Sequence, residues 1–376
     1  MSESLKNIPV ARPFLGGDEV RFVNDAVSTG EISGNYGKYI PKFECDFAKY
    51  CGVKYGISTN NGTTALHVAL TALGVSPGDE VIVQTLTNMA TVFAVCYTGA
   101  KPVAIDIESD TWNIAPRLLE SKITSKTKAI IVVHIFGHPV DMTPVMEIAR
   151  KHKLFVLEDC AQAHGAEYNG RRVGSFGDIA CFSFYANKII TTGEGGMVIT
   201  DSEELADKVR SLHSLSYGRG KNKFMHEAIG FNYRMSNVIA AIGCGQLGKI
   251  AEVIEMKRNI AVFYTKALSG LSALQLPIEK EYAKNVYWMY HVVLSGNWRG
   301  RRKEVMDALG EKGIETRESF VPFNQQQIFL RDGVVREDEC PVANNVGENG
   351  FYLPSGPVMA PGEQDYVVNS IRSIIS

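Results

Sequence analysis

The chain has 376 residues, of which 45% are hydrophobic and 21% charged, and its 39 basic and 41 acidic side chains leave a net charge of −2. This length is ample for a large domain joined to a smaller one. A near-neutral chain lacks the electrostatic footprint of a protein that binds nucleic acid or an anionic membrane, so we expect neither partner.

Cysteine usage and the first residues favour a cytoplasmic protein. The seven cysteines are odd in number and no pair has CxxC spacing, which argues against a disulfide framework and against a zinc site. Residues 1–13 carry Glu3 and Lys6 and have no long apolar run, so we expect no secretory leader. The longest apolar runs elsewhere are too short to cross a bilayer.

Apolar runs alternate with amphipathic stretches along the first two thirds of the chain. The predicted strands are 80–83, 102–105, 129–135, 154–157, 179–184 and 197–200, and the predicted helices between them are 63–73, 89–97, 144–152 and 203–212. Near-continuous apolar strands suit a sheet that is covered on both faces. This alternation predicts an α/β fold with a mostly parallel sheet.

The remaining elements complete a two-domain prediction. Tyr168-Asn169-Gly170-Arg171 indicates a hairpin turn, and one long helix is predicted over 236–268. A strand at 290–294, a helix at 301–312 and a small α+β unit from 313 onward follow. We expect a large domain over 1–250, with an N-terminal segment that contributes to the small domain, and a small domain over 251–376.

The first chemical signal is the polar turn Ser58-Thr59-Asn60-Asn61-Gly62-Thr63-Thr64, which opens a predicted helix. Free N–H groups and the helix dipole make such a start an anion site. Gly62 lets an anion approach the backbone, and Thr63 adds a hydroxyl. Taken alone, a helix cap without a ligand explains the same residues.

The second signal is the acidic pair that follows a buried-type strand at 154–157. Ligands of open α/β sheets bind at the carboxyl ends of strands. A carboxylate at Asp159 could pair with a protonated ring nitrogen or hold magnesium, and a helix cap is the alternative without a ligand.

The third signal is a lysine between two apolar strands. Phe182-Ser183-Phe184-Tyr185-Ala186-Asn187-Lys188 leads into Thr191-Thr192-Gly193-Glu194-Gly195-Gly196-Met197. A surface role is the ordinary interpretation of a single lysine. Lys188, however, lies among small and hydroxyl residues, and a desolvated lysine has a lowered pKa and can attack an aldehyde.

The run SFxxxK followed by TTGEGGM resembles the DegT/DnrJ/EryC1/StrS aminotransferases, which make amino sugars on nucleotide-sugar carriers. Further motifs that carry the resemblance are SxNGTxAL-like residues at 58–66, EDCAQAHGA at 158–166 and GFNYRMSN at 230–237. The resemblance extends from Pro9 to the C-terminal segment. It implies a fold type I architecture, pyridoxal 5'-phosphate as cofactor, and ping-pong transamination with glutamate as amino donor.

The resemblance also implies a role for each motif residue. Lys188 would hold the cofactor as a Schiff base and shuttle the proton, Asp159 would keep the ring nitrogen protonated, and Gln162 would lie beside the phenolic oxygen. Gly62, Thr63 and Ser183 would form the phosphate cup.

Three further residues are implied contacts at the edge of the site. Asn232 matches an asparagine that reaches the phosphate from the neighbouring subunit, so a homodimer with shared active sites is expected. His226 and Arg317 are candidate substrate contacts. The runs SFYANKIITTGEGGMV and VVHIFGHPVDM are most similar to the branch of the family that aminates C4 of GDP-linked 4-keto-6-deoxymannose.

Two positions depart from the family pattern. Asn88 stands where an aromatic residue usually stacks on the cofactor ring, and Asn324 stands where a histidine is common. Both departures weaken the sugar assignment more than the aminotransferase assignment. They leave open an aminotransferase for a smaller phosphorylated ketone, and a cofactor-binding regulatory protein without turnover is the alternative from another class. Sugar dehydratases of the family replace the lysine by histidine, so Lys188 argues against that activity.

Other basic residues carry weaker signals. His134 and His138 flank a Phe-Gly turn and are metal ligands by type, but no third partner has suitable spacing, so structural roles are favoured and no metal is expected. The segment with Arg219, Lys221 and Lys223 is a small basic loop that would meet either a diphosphate or only water.

Overall fold

The computed structural model describes residues 7–218, 224–337 and 339–375. Its helices are α1 (Glu19–Ser28), α2 (Tyr39–Cys51), α3 (Gly62–Ala72), α4 (Met89–Tyr97), α5 (Leu119–Lys122), α6 (Met142–His152), α7 (Glu203–Leu212), α8 (Asn237–Leu247), α9 (Ile250–Leu268), α10 (Arg302–Glu311), α11 (Gln327–Arg331), α12 (Pro341–Asn349) and α13 (Glu363–Ile375). Its strands are β1 (Tyr55–Thr59), β2 (Glu80–Gln84), β3 (Lys101–Ile105), β4 (Thr127–Val133), β5 (Phe155–Asp159), β6 (Glu167–Tyr168), β7 (Arg171–Arg172), β8 (Ile179–Ser183), β9 (Gly196–Thr200), β10 (Leu274–Gln275), β11 (Ala283–Lys284), β12 (Tyr290–Leu294), β13 (Arg317–Glu318) and β14 (Gly350–Leu353).

A seven-stranded sheet in the order β1-β9-β8-β5-β4-β2-β3 forms the centre of the larger part of the chain. Its neighbours pair in parallel except for β9, which runs antiparallel to both β1 and β8. The strands at its middle are buried almost throughout, as their unbroken apolar runs require. The α/β fold class with a mostly parallel sheet is confirmed.

The carboxyl ends of the parallel strands meet at one edge of this sheet. There β5 ends at Asp159 and β8 ends at Ser183, while β1 ends at Thr59, just before α3 begins. Beside them, β2 ends at Gln84, and the following residues lead to α4. Four separate strand ends with polar residues therefore converge on the edge where ligands of such sheets bind.

A second core lies under a four-stranded antiparallel sheet in the order β10-β12-β14-β13. Buried side chains of α9, α10 and α13 pack on it, and Ile8 joins them from the start of the chain. Ile8 forms a parallel bridge with Ile314. The domain boundaries given above stay a prediction. A small domain over 251–376 would require a core of its own, as this packing provides.

The helix predicted over 236–268 is wrong, because two helices, α8 and α9, occupy this range and meet at an angle of 60°. Gly245 of α8 lies against α1, where a Cβ would come within 2.6 Å of the Glu19 nitrogen, whereas α9 packs on α13 in the second core. The chain turns at Lys249, whose φ of −113° is not helical. Of the described residues, no single helix is long and apolar enough to cross a bilayer, and only this bent pair taken together reaches that length and apolarity.

The hairpin predicted at Tyr168–Arg171 is present as β6 and β7. Its two central residues, Asn169 and Gly170, have φ values of 48° and 77°. Positive φ at both positions is the backbone of the turn that an Asn-Gly pair favours.

Candidate active site

An open cleft with about 1140 Å³ of empty space lies at the carboxyl edge of the large sheet. Every predicted cofactor contact other than Asn232 lines it, namely Gly62, Thr63, Asn88, Asp159, Gln162, Ser183 and Lys188. The first and the last of these residues are more than a hundred positions apart in the sequence. The fold of the sheet brings them to one site.

One end of the cleft is the start of α3. Asn61 caps the helix, and its side chain accepts a hydrogen bond from Thr64 N at 2.9 Å. Within the described residues, the backbone N–H groups of Gly62 and Thr63 have no partner and remain free for an anion. A Cβ on Gly62 would come within 2.7 Å of the Ser183 Cβ, so glycine is needed for the helix start and β8 to approach each other.

Lys188 stands in a short turn directly after β8, where its N–H donates to the carbonyl oxygen of Tyr185 at 2.9 Å. Burial lowers the pKa of Lys188 to about 8, and the negative charge of Asp159 opposes this shift. The amine nitrogen lies 4.2 Å from the centroid of the Trp288 ring. A lysine in this state carries a reactive free amine near neutral pH.

The carboxylate of Asp159 is buried at the end of β5 and is held at both oxygens. Its Oδ2 accepts a hydrogen bond from the Thr91 hydroxyl at 2.7 Å, and its Oδ1 accepts one from Ala161 N at 3.0 Å. Burial raises the pKa of Asp159 above its ordinary value, and the hydrogen bond from Thr91 opposes the rise. A buried carboxylate of this kind favours a cationic partner in the cleft.

The side chain of Gln162 is oriented by a hydrogen bond from a backbone N–H group. Its side-chain oxygen accepts a hydrogen bond from Phe136 N at 2.8 Å. The amide NH₂ group is therefore the end of the side chain that is left to donate to a ligand oxygen.

Asn88 lines the cleft, and it also has a local structural role. It is the N-cap of α4, and its side-chain oxygen accepts a hydrogen bond from Ala90 N at 2.9 Å. An aromatic residue at this position could not make that bond. The departure from the family pattern thus has a local explanation in helix capping.

Three predicted contacts lie outside the cleft of their own chain. Asn232 is exposed and its backbone pairs with Ser214. His226 is also exposed, and its Nδ1 bonds to the Leu215 carbonyl oxygen at 2.7 Å. The Arg317 guanidinium forms an ion pair with Glu315 at 2.7 Å. Their roles toward a ligand stay predictions.

The sequence interpretation missed residues that complete the site. Thr91, Tyr185 and Glu194 line the cleft, and Thr91 is the direct partner of Asp159. Tyr185 and Glu194 lie within motifs that had been singled out, whereas Trp288 comes from the segment before β12, about one hundred residues after Lys188. No local pattern connects Trp288 with the lysine.

Asn324, the second position that departs from the family pattern, is fully buried and lies away from the cleft. Its side-chain oxygen accepts a hydrogen bond from the Thr85 hydroxyl at 2.5 Å, and its amide donates to the Glu337 carbonyl oxygen and to Asn344, both at 2.9 Å. Asn324 therefore joins the end of β2 to the C-terminal part of the chain.

His134, Glu158 and Cys160 place possible ligand atoms within 4.8 Å of one another. His134 Nδ1 accepts a hydrogen bond from Val140 N at 2.9 Å, so the proton lies on Nε2, which donates to Glu158 at 3.0 Å. Burial alone would raise the pKa of Glu158, but this bond and the backbone N–H groups of Gly177 and Gly174 lower it below its ordinary value. This hydrogen bonding favours the structural role that was predicted for His134.

His138 has a comparable structural setting, since its Nδ1 lies 2.7 Å from the Pro139 carbonyl oxygen and burial lowers its pKa to about 4. The basic loop with Arg219, Lys221 and Lys223 lies outside the described residues.

The chain is similar to known proteins over nearly its whole length. The chain is 43% identical over 373 residues to the GDP-perosamine synthase of Escherichia coli O157:H7, which covers 99% of this chain and 100% of that protein. It is 40% identical over 372 residues to the GDP-perosamine synthase of Caulobacter vibrioides, covering 99% of each chain. The PLP form of the putative sugar aminotransferase Spr1654 from Streptococcus pneumoniae superposes with a TM-score of 0.93 at 25% identity, covering 98% of each chain.

These findings confirm the fold type I architecture, the aminotransferase activity and the pyridoxal phosphate cofactor that the sequence motifs predicted. The sequence model of the DegT/DnrJ/EryC1/StrS aminotransferase family matches residues 14–372, which is nearly the whole chain. The chain belongs to the DegT/DnrJ/EryC1/StrS aminotransferase family.

Proposed function

We propose that this protein transfers an amino group from an amino acid, by analogy glutamate, to the keto group of a nucleotide-linked sugar of the GDP-4-keto-6-deoxymannose type. The observation that carries the reaction type is the convergence of a lysine of lowered pKa, a buried carboxylate and a free helix start on one cleft. The substrate class is supported by the relatives named above, which are GDP-perosamine synthases.

The residues of the cleft match the chemical groups of pyridoxal phosphate. The free N–H groups of Gly62 and Thr63, with the Ser183 hydroxyl, suit the phosphate. The Asp159 carboxylate suits a protonated ring nitrogen, and the Gln162 amide suits the phenolic oxygen. When bound, the cofactor supplies a carbonyl carbon that takes up the amino group and a ring that draws electrons from the reacting carbon.

Lys188 does the proton chemistry in this proposal. Its pKa of about 8 leaves the amine nitrogen part protonated and part free near neutral pH. A group in this state could accept a proton from the reacting carbon of the donor and deliver it to the cofactor carbon that takes up the amino group, and the second half of the reaction would run this transfer in reverse. Asp159 holds a negative charge in the wall of the cleft, where the carboxylate is buried and its electrostatic effect is strong.

The acceptor is proposed to occupy the space beside Asn88. An asparagine that caps α4 leaves more room at this wall than the aromatic side chain of the family pattern. A smaller phosphorylated ketone would also fit an open cleft, and a regulatory protein would bind the cofactor without turnover, so the test includes both alternatives.

The test starts from the protein loaded with pyridoxamine phosphate. It is mixed with GDP-, UDP- and dTDP-linked 4-keto sugars and with simple keto phosphates, and the conversion of the cofactor is followed by absorbance and the product by mass. We expect fast conversion with the GDP-linked 4-keto-6-deoxy sugar. Conversion by keto phosphates alone would replace the sugar proposal, and conversion by no acceptor would favour the regulatory alternative.

We further propose a homodimer whose two active sites are shared. Asn232 does not cap α8, because Ser236 is the cap and its hydroxyl accepts a hydrogen bond from Ile239 N at 3.4 Å. Near Asn232, the apolar side chains of Met225 and Ile229 are 69% and 91% exposed. A second copy that covered them would also meet Asn232.

Subunit mixing tests the shared site. Homodimers of Lys188→Ala and of Asn232→Ala, each nearly inactive, are allowed to exchange subunits. If Asn232 acts on the partner's site, each heterodimer has one site with both defects and one with neither, so about half of normal activity per heterodimer should return. No recovery after exchange has been verified by mass would refute the shared site.

A further inference from the structure

Lys188 lies between two cavities. One is the cleft described above, and the other is a much smaller cavity, with room for about one water molecule, that Lys188 lines together with Trp288 and Lys257. The amine nitrogen of Lys188 is on the side of the indole, 4.2 Å from its centroid. An ammonium at this distance from a tryptophan face is attracted by the ring.

The indole of Trp288 is held in place from two sides. Its ring N–H donates a hydrogen bond to the carbonyl oxygen of Asn187 at 2.8 Å, and Asn187 directly precedes the lysine. Its own carbonyl oxygen accepts one from the Lys257 amine at 2.8 Å, and Lys257 also donates to the Ser355 carbonyl oxygen at 2.6 Å. With only 4% of its surface exposed, Trp288 is a fixed platform rather than a mobile side chain.

The backbone before Trp288 adopts an uncommon conformation. Tyr287 has a φ of 47°, which non-glycine residues rarely adopt, and its N–H donates to the Asn285 side chain at 2.7 Å. Gly137 lies so close that a Cβ there would come within 2.8 Å of the nitrogens of both Tyr287 and Trp288. Conformations of this kind persist where the surrounding structure enforces them, often at functional sites.

We propose that Trp288 is a positioning residue for Lys188. Its ring face holds the protonated amine in a withdrawn position beside the cleft whenever the lysine is not bonded to the cofactor. The proposal rests on the proposed function, because only an enzyme that releases and re-forms the lysine bond needs such a position. Between proton transfers the ammonium would stay on the indole, instead of sampling many side-chain conformations.

Several charged or titratable groups face Lys188 besides the indole. Asp159 stabilises the ammonium across the cleft, and burial lowers the pKa of His164 to about 3, so this ring stays neutral. In the smaller cavity, burial lowers the pKa of Lys257 to about 7, and the exposed Arg12 lies at the rim. The ring attraction is therefore one contribution among several, and the experiment has to change it alone.

Fluorinated tryptophans change the ring attraction without removing the side chain. Mono- to tetrafluorotryptophan, incorporated only at position 288, weakens the negative face of the ring stepwise while the indole N–H and the shape are kept. The protein is loaded with pyridoxamine phosphate, so that Lys188 is a free amine in the holoenzyme. The pKa of Lys188 is then measured from the pH dependence of its acetylation. The acetylated Lys188 peptide is identified by its mass, so that acetylation of Lys257 is counted separately.

We expect the pKa of Lys188 to fall stepwise along the series by about half a unit to one unit in total. At a pH below this pKa, acetylation of Lys188 should become about threefold to tenfold faster. The same series at Trp298 is a matched control, because Arg301 lies 4.0 Å from that ring in a similar cation contact, and it should leave the pKa of Lys188 unchanged.

A constant pKa across the series at position 288, or an equal shift from position 298, would overturn the positioning role. Either result would leave the proposed function intact if the loaded protein still converts a keto sugar. Failure of the protein to load pyridoxamine phosphate and to aminate any acceptor would instead count against the proposed function.

Discussion

Replacement of Asp159 by asparagine should remove a charge from the cleft with little disturbance of the fold. The new side-chain oxygen can keep the hydrogen bond from Ala161 N, now 3.0 Å from Asp159 Oδ1. The new NH₂ group can donate to the Thr91 hydroxyl, which then turns its proton toward Thr87, whose hydroxyl lies 3.2 Å away. Each buried polar group therefore keeps a partner.

The expected loss follows from the missing negative charge. A hydrogen bond to a charged group contributes about 1.5–3 kcal/mol, so the Kd of the cofactor should rise by roughly tenfold to a hundredfold. Removal of one preorganised electrostatic group from an active site typically lowers kcat by about 10²–10³-fold. At saturating cofactor, the Asp159→Asn protein should thus lose much more rate than stability.

The assay is a single-turnover reaction of the loaded protein with glutamate, followed by the absorbance of the cofactor, with cofactor binding measured separately. Asp106→Asn is the matched control. Asp106 is also a buried carboxylate, but it accepts hydrogen bonds from the N–H groups of Val342 and Ala343 outside the cleft. A near-normal rate for Asp159→Asn, or an equal loss in the control, would refute the role of this charge.

Three further predictions concern Lys188 and Asn88. Borohydride should fix the cofactor to the Lys188 peptide, and a label on another lysine would contradict this assignment. Lys188→Ala should still bind the cofactor without a covalent bond but should lose turnover. Because the pKa of Lys188 is lowered to about 8, its free amine forms at lower pH than that of an ordinary lysine, so the rate of covalent attachment should rise with pH and level off above about 8. A rise that continues to pH 10 would contradict the lowered pKa. Asn88→Tyr should lose the helix cap, which should lower the free energy of unfolding by about 1 kcal/mol. It should also tighten cofactor binding by up to about tenfold through ring stacking. Weaker cofactor binding would show that residue 88 does not face the ring.

The convergence of the motifs was predictable because it depends on a rule of topology. Asp159 and Ser183 each follow an apolar run, and the carboxyl ends of parallel strands share one edge. The Asn-Gly turn was predictable for a similar reason, since the backbone that it requires is set by Asn169 and Gly170 themselves.

What could not be predicted depends on contacts between distant segments. No proline marks the break between α8 and α9. The apolar side chains of α8 and the first turns of α9 pack in the core of the large sheet, whereas α9 enters the second core from Ile260 onward. The partner of Asp159, Thr91, comes from another strand connection, and the indole beside Lys188 comes from the segment before β12. Periodicity and motif spacing contain no information about such pairs.

The two departures from the family pattern no longer argue against a sugar substrate. From the sequence, both departures weaken the sugar assignment more than the aminotransferase assignment. Asn88, however, caps α4, and Asn324 is fully buried in a bridge between Thr85 and Asn344. These structural roles account for both asparagines without a smaller ketone, and Asn88 also borders the space proposed for the acceptor. The choice of acceptor depends instead on the space beside Asn88 and on what a second subunit brings to the cleft near Asn232, which is why the acceptor panel and the subunit exchange should be carried out on the same preparation.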